Sequence, residues 1–179
     1  DDLPDGGAEC FAETIRKIRE RLPDALVEVL IPDFKGDSEA LRTVLRTRPD
    51  VLNHNIETVR RLYPAVRPEA DYRRSLDLFR KVFEFDPSIP TKSGLMLGLG
   101  EKKAEIMDTL SDLLETGCRI LTLGQYLQPS RSHLPVQRFV PPVEFDELGK
   151  TAREMGFKEV SSGPLVRSSY QAKKLYELL

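Results

Sequence analysis

The chain has 179 residues, enough for one domain with a sizeable core, and its 40% hydrophobic and 31% charged residues exclude a disordered polypeptide. A net charge of -2, with Lys and Arg scattered among Asp and Glu, excludes an electrostatic footprint for nucleic acid or an anionic membrane. No apolar run approaches the roughly 20 residues of a bilayer span, and two cysteines far apart, Cys10 and Cys118, exclude a disulfide framework and predict a reducing, cytoplasmic setting.

In chain order, Phe11, Ile15, Ile18 and Leu22 recur at helical spacing and predict a first amphipathic helix. The β-branched run over 25–34 predicts a strand that stops at a proline. Asp37 or Ser38 then caps a helix carrying Leu41, Val44 and Leu45. A strand over 50–55 precedes a helix over 72–83 with Leu76, Phe79 and Phe83 on one side. A strand over 90–100 leads into a helix over 102–114, with Ile106, Leu110, Leu113 and Leu114 inward and Gly117 as its stop. After a strand over 118–127, Pro142 opens a helix containing Phe145, Leu148 and Ala152, and a last strand covers 156–163. Strand–helix alternation of this kind predicts an α/β fold with a parallel sheet and right-handed crossovers, with too few units for a closed eight-stranded barrel.

Chemistry in such folds gathers at the carboxyl ends of strands. Those ends read Pro32-Asp33-Phe34, Asn53-His54-Asn55, Lys92-Ser93, Gly124-Gln125-Tyr126 and Ser161-Ser162-Gly163, a succession of polar exits that predicts one binding face. His54 and His133 show no zinc spacing and are expected to be hydrogen-bonded structural residues. Cys10 and Cys118 are expected to be buried as small hydrophobes. Three glycines in "GLMLGLGE" (94–101) are expected to bare the backbone to something flat, while Glu101 suits the first turn of the following helix. The adjacent Ser168 and Ser169 would cap a final helix over 170–179 or hold a ligand.

"DDLPDGGAE", "EVLIPDFKG", "PDVLNHNIETVRRLYPAVRP", "PTKSGLMLGLGE", "LTLGQYLQPSRSHLPV" and "GPLVRSSYQA" together resemble the lipoyl synthases, a family of the radical S-adenosylmethionine superfamily, over essentially the whole chain. The resemblance implies a partial (β/α) barrel of the radical SAM type over residues 1–163, with an R-S-S-Y segment and final helix over 164–179. It implies S-adenosylmethionine and two 4Fe–4S clusters as cofactors. One cluster, in a C-x-x-x-C-x-x-C loop, generates a radical that takes hydrogens from C6 and C8 of a protein-bound octanoyl-lysine; the auxiliary cluster supplies the sulfur.

By the same resemblance, a hydroxyl of Arg167-Ser168-Ser169-Tyr170 ligates the auxiliary cluster, with Ser169 ahead of Ser168, and an oxygen ligand there would be a harder match than thiolate. Gly6, Gly7, Asn55, Glu57, Lys92, Ser93, Gly94, Met96 and Gly98 are implied as S-adenosylmethionine contacts. Gln125, Tyr126 and Arg167 are implied beside the octanoyl substrate, and Arg67 and Arg131 are further carboxylate-binding candidates. Octanoylated lipoyl-domain proteins (dehydrogenase complex subunits and the glycine-cleavage H protein) and a reducing protein are the implied partners.

Neither cysteine motif of the family is in the chain, which opens on Asp1 rather than Met. The expectation is therefore a C-terminal portion with the N-terminal strands missing, inactive by itself. Two other classes stay compatible with the residues: an aldolase-like barrel using Lys92 as a Schiff-base lysine, and a non-catalytic fragment or scaffold that docks lipoyl domains.

Overall fold

The computed structural model describes residues 3–169. Among them, five strands form one parallel sheet in the order β1-β2-β3-β4-β5: β1 Glu28–Leu30, β2 Val51–Asn53, β3 Thr91–Leu97, β4 Ile120–Gln125 and β5 Glu159–Gly163. The crossovers carry α1 Ala8–Arg21, α2 Ser38–Leu45, α3 Tyr63–Val66, α4 Tyr72–Phe85, α5 Lys103–Glu115 and α6 Pro142–Met155, with α1 running ahead of β1. All five expected strands are present, and each is shorter than its apolar run. β1 keeps three residues because Pro32, which has no backbone N–H, ends its ladder.

Side chains alternate between the two faces of a strand. One face carries Val29, Leu52, Leu95, Leu97, Leu121, Leu123 and Val160, which join Leu41, Phe79, Leu110 and Phe145 from the helices in a continuous core. The opposite face carries Glu28, Asn53, Lys92, Gly94, Met96, Thr122 and Gly124, a mostly polar and small-residue surface in which Val51 and Ile120 form a small second apolar cluster. Among the described residues, no helix is long and apolar enough to cross a membrane.

Asp37 caps α2, its carboxylate accepting from the amides of Glu39 and Ala40 at 2.8 and 3.2 Å. Pro142 opens α6, and Gly117, at φ 89, follows α5 as its stop. Three side chains sit otherwise than their spacing predicts. α1 buries Ala8, Ala12 and Ile15 but ends at Arg21, so Leu22, at φ -136, falls outside the helix and is exposed. Cys10 is exposed, on the groove between α1 and β1, whereas Cys118 is fully buried, its thiol pushed up to about 12 by desolvation. On α4, Val82 takes the inward place expected for Phe83, which lies outside across Gly117. α3 and the short 3-10 turns at Phe34–Gly36 and Arg60–Leu62 carry no sequence period long enough to predict. The expected helix over 170–179 lies outside the described residues.

Candidate functional site

β2 does not simply end. Asn53 stands opposite Lys92, the chain leaves the sheet, and it returns with Glu57 beside Leu95, where the Glu57 amide donates to Gly94 (2.9 Å) and Met96 donates to Glu57 (2.8 Å). Between the two contacts the β2 side has one residue more than β3, which is the geometry of a bulge. Glu57 absorbs it at φ 63, a conformation that L side chains seldom adopt. Ser93 fills the gap underneath, its hydroxyl donating to His54 O (2.9 Å) and accepting from Ile56 N (3.1 Å). His54 is buried as a structural residue, with Nδ1 on the Ile31 carbonyl and Nε2 on the Ser75 hydroxyl, and burial holds its pKa below the usual value.

The bulge turns Asn55 and Glu57 into a cavity of about 360 Å³ over the polar face of the sheet. Gly94, Met96, Thr122, Gly124 and Gln125 form its floor, Leu127, Gln128 and Pro129 one wall, and Val166, Arg167 and Ser168 another. Asn55 donates to the Glu57 carboxylate at 3.2 Å, and its own Oδ1 is buried without a partner among the described residues. Burial raises the Glu57 pKa; the Asn55 hydrogen bond and the charge of Arg67 oppose the shift. Arg67 also donates to the Asn55 carbonyl at 3.3 Å and lies over the Tyr63 ring. The site thus offers an orphaned acceptor, a half-enclosed carboxylate, a guanidinium and a flat glycine floor, an assembly suited to a polar, partly planar ligand with hydroxyl or amino donors.

Two of the glycines in the 94–101 stretch act differently from the expectation that they bare the backbone to a ligand. A Cβ on Gly94 would meet Asn55 Oδ1 at 2.7 Å and Thr122 Oγ1 at 2.9 Å. Gly98, at φ 102, admits the Gln125 amide and the Arg138 carbonyl. The space is taken by the chain itself, and the glycines let neighbouring segments close over the sheet. Gly124 does the same for the Val166 carbonyl and so brings Arg167 and Ser168 to the cavity.

The expected site residues divide. Asn55, Glu57, Gly94, Met96, Gln125, Arg167 and Ser168 share this cavity, while Ser169 follows as an exposed residue. Gly6 and Gly7, at φ 61 and 83, turn the chain into α1 beside a separate groove of about 620 Å³ between α1 and β1. Tyr126 is buried, with its hydroxyl on the Leu134 carbonyl at 2.8 Å. Lys92 lies within β3 rather than at its exit and is fully buried, its ammonium on both Glu28 oxygens at 2.9 and 3.0 Å. An ammonium so engaged is neither a Schiff-base nucleophile nor a ready carboxylate receptor. Glu28 and Thr122 were missed by sequence reasoning. Their signal was the alternation that puts them on the same face as Lys92 and Gly124.

The residues fit S-adenosylmethionine better than they fit a cluster. The unpartnered Asn55 Oδ1 and the Glu57 carboxylate would receive a nucleoside's or amino acid's donors, whereas no group of three His, Cys, Asp or Glu side chains that could hold a metal exists among the described residues. Cys10 and Cys118 are one exposed and one buried, on different elements. The thiolates that a 4Fe–4S cluster requires are not assembled by these residues.

No family model matches the chain. Among solved structures, methylornithine synthase shares the fold, with a TM-score of 0.57 and 16% identity over 73% of this chain and 37% of that one. Among curated proteins, the lipoyl synthase of Rubrobacter xylanophilus is 58% identical over 177 residues, 99% of this chain and 55% of that protein. The lipoyl synthase of Methylococcus capsulatus is 60% identical over 173 residues, 96% of this chain and 54% of that protein. The chain spans about half the length of the curated relatives it matches. With identity this high running almost from end to end, the chain is similar to the lipoyl synthases over about half of their length.

Proposed function

We propose that these residues form the part of a lipoyl synthase that receives S-adenosylmethionine and the octanoyl-lysine substrate, in an enzyme that inserts sulfur at C6 and C8 of the protein-bound chain. The observation that carries this reading is the cavity at the β2 bulge, where residues from four of the family-like stretches converge. When bound, S-adenosylmethionine supplies the radical that activates the octanoyl carbons. The chain's own work is binding. Glu57 and Asn55 take hydroxyl or amino donors, Gly94 and Met96 floor the site, and Arg167 offers charge to a carboxylate. Gln125 fixes the floor, its amide spanning the Arg138 carbonyl and the Val140 amide at 3.1 and 2.9 Å. Lys92 and Ser93 take part as the supports of Glu28 and of the bulge. Gly6, Gly7 and Gly98 enter the same reading as turn and closure positions.

Residues 1–163 would then be the barrel portion and 164–179 the segment bearing Ser168 and Ser169, one of whose hydroxyls ligates an auxiliary 4Fe–4S cluster built with thiolates from elsewhere. Octanoylated lipoyl domains, of dehydrogenase complexes or the glycine-cleavage H protein, are the substrates, and a reducing protein supplies electrons. A cytoplasmic setting accords with the exposed free thiol of Cys10.

Calorimetric titration with S-adenosylmethionine tests the binding role. The chain is expected to bind it, and Glu57→Ala to weaken the affinity about tenfold; no binding by the unaltered chain would overturn the reading. In a polypeptide joining these residues to the family's cysteine motifs, Ser168→Ala or Ser169→Ala is expected to lower the iron content. Full iron in both variants would remove the hydroxyl ligand.

A further inference from the structure

The connection from Gln125 to Pro142 is longer than the about 12–15 residues beyond which structureless loops in compact domains are uncommon and usually functional. It is pinned throughout. Tyr126 donates to Leu134 O (2.8 Å), Gln128 to His133 O (2.8 Å) and Gln137 N to Gly98 O (2.8 Å), while the Ser130 hydroxyl meets His133 Nδ1 (2.8 Å). So much order in a stretch that is almost entirely exposed is unusual.

Its composition is one-sided. From Thr116 to Val143 the sequence holds no Asp or Glu, in a chain whose net charge is -2. Arg131 is exposed and has no ion pair among the described residues, and the same holds for Arg167 on the cavity wall. The loop and the segment after β5 also expose apolar side chains that the core does not use: Leu127 at 49%, Phe139 at 69% and Leu165 at 81% exposed. Leu127 and Arg167 both line the cavity, so part of this basic and apolar surface borders the opening. Apolar anchors edged by uncompensated cations match an acidic partner.

We propose that this loop, with Leu165 and Arg167, is the docking surface for a carrier protein that presents carboxylates around its acylated lysine, so that docking sends the acyl chain into the cavity. The inference rests on the acyl-lysine reading above and adds the surface and the charge of the partner. Phe139 and Leu165 supply buried contact, and Arg131 supplies long-range attraction and orientation.

Binding of the chain to an octanoylated lipoyl domain with carboxylates flanking the lysine, compared with the same domain carrying amides in their place, tests it. The amide form and Arg131→Glu are each expected to bind at least about tenfold more weakly, and Phe139→Ala about fivefold more weakly. Each variant is checked for unchanged circular dichroism. Added salt should erase the difference between the two domains. Undiminished affinity in both variants would overturn the docking surface while leaving the acyl-lysine reading intact. Failure of the unaltered chain to bind either domain would remove both. Self-association of the chain through Phe139, or retention on anionic phospholipid vesicles lost in Arg131→Glu, would assign the surface to another occupant and overturn the proposal.

Discussion

Removing the Glu28 carboxylate should damage this fold more than removing the cation it serves. Lys92 is fully buried, and its ammonium rests on the two Glu28 oxygens at 2.9 and 3.0 Å, with Asn53 Nδ2 donating to the same carboxylate at 3.1 Å. Glu28→Ala leaves a buried ammonium unpaired, at a cost of about 3–5 kcal/mol. That is a large fraction of the about 5–15 kcal/mol by which domains are stable. Lys92→Met removes the charge and keeps the volume. Glu28 then retains Asn53 and, with its side chain 19% exposed, some water, so about 1–2 kcal/mol is expected. Glu28→Gln combined with Lys92→Met should recover most of the loss, since a matched neutral pair leaves no uncompensated charge. Urea unfolding followed by circular dichroism measures this. With slopes of about 1–3 kcal/mol per molar, Glu28→Ala should lower the midpoint by more than about 1 M. A Lys92→Met variant as damaged as Glu28→Ala, or a double variant worse than either single one, would refute the reasoning.

Glu57 is raised above 4.5 by burial, so the proton it binds stabilises the native state fully below that value and is lost as pH rises through the raised one. Glu57→Gln should therefore be more stable than the native chain at neutral pH and show a flatter stability profile above pH 4.5; an unchanged profile would contradict the burial. Gly124→Ala would press a methyl on the Val166 carbonyl and should free residues 164–168 for proteolysis, at about 1–3 kcal/mol, with ligand affinity lost. Uncleaved wild-type-like behaviour would show that the segment does not depend on that glycine. Iodoacetamide should alkylate Cys10 promptly and Cys118 only on unfolding, as mass spectrometry of the native protein would show.

Much of the architecture was legible because burial imposes period. The β-branched runs, the 3.6-residue spacing of Leu41, Val44 and Leu45 or Ile106 and Leu110, and the punctuation by Asp37, Gly117 and Pro142 all act within a few residues of chain. Where that local logic failed, a neighbour decided. Leu22 and Phe83 fit a helical spacing in the sequence and are still exposed, because α1 ends one residue before Leu22 and Gly117 offers Phe83 a seat outside the core. Cys10 is exposed because it lines the open groove between α1 and β1.

The amino-acid sequence by itself determined the strand–helix order, the parallel sheet and the resemblance to the lipoyl synthases, since each depends on residue pattern along the chain. Tertiary structure alone decided which polar residues could meet a ligand. Pairing of β2 with β3 on either side of an extra residue turned Asn55 and Glu57 into the cavity, while the approach of β1 committed Lys92 to Glu28. Such choices depend on register between strands far apart in sequence, and a buried charge takes whichever opposite charge that register brings within reach.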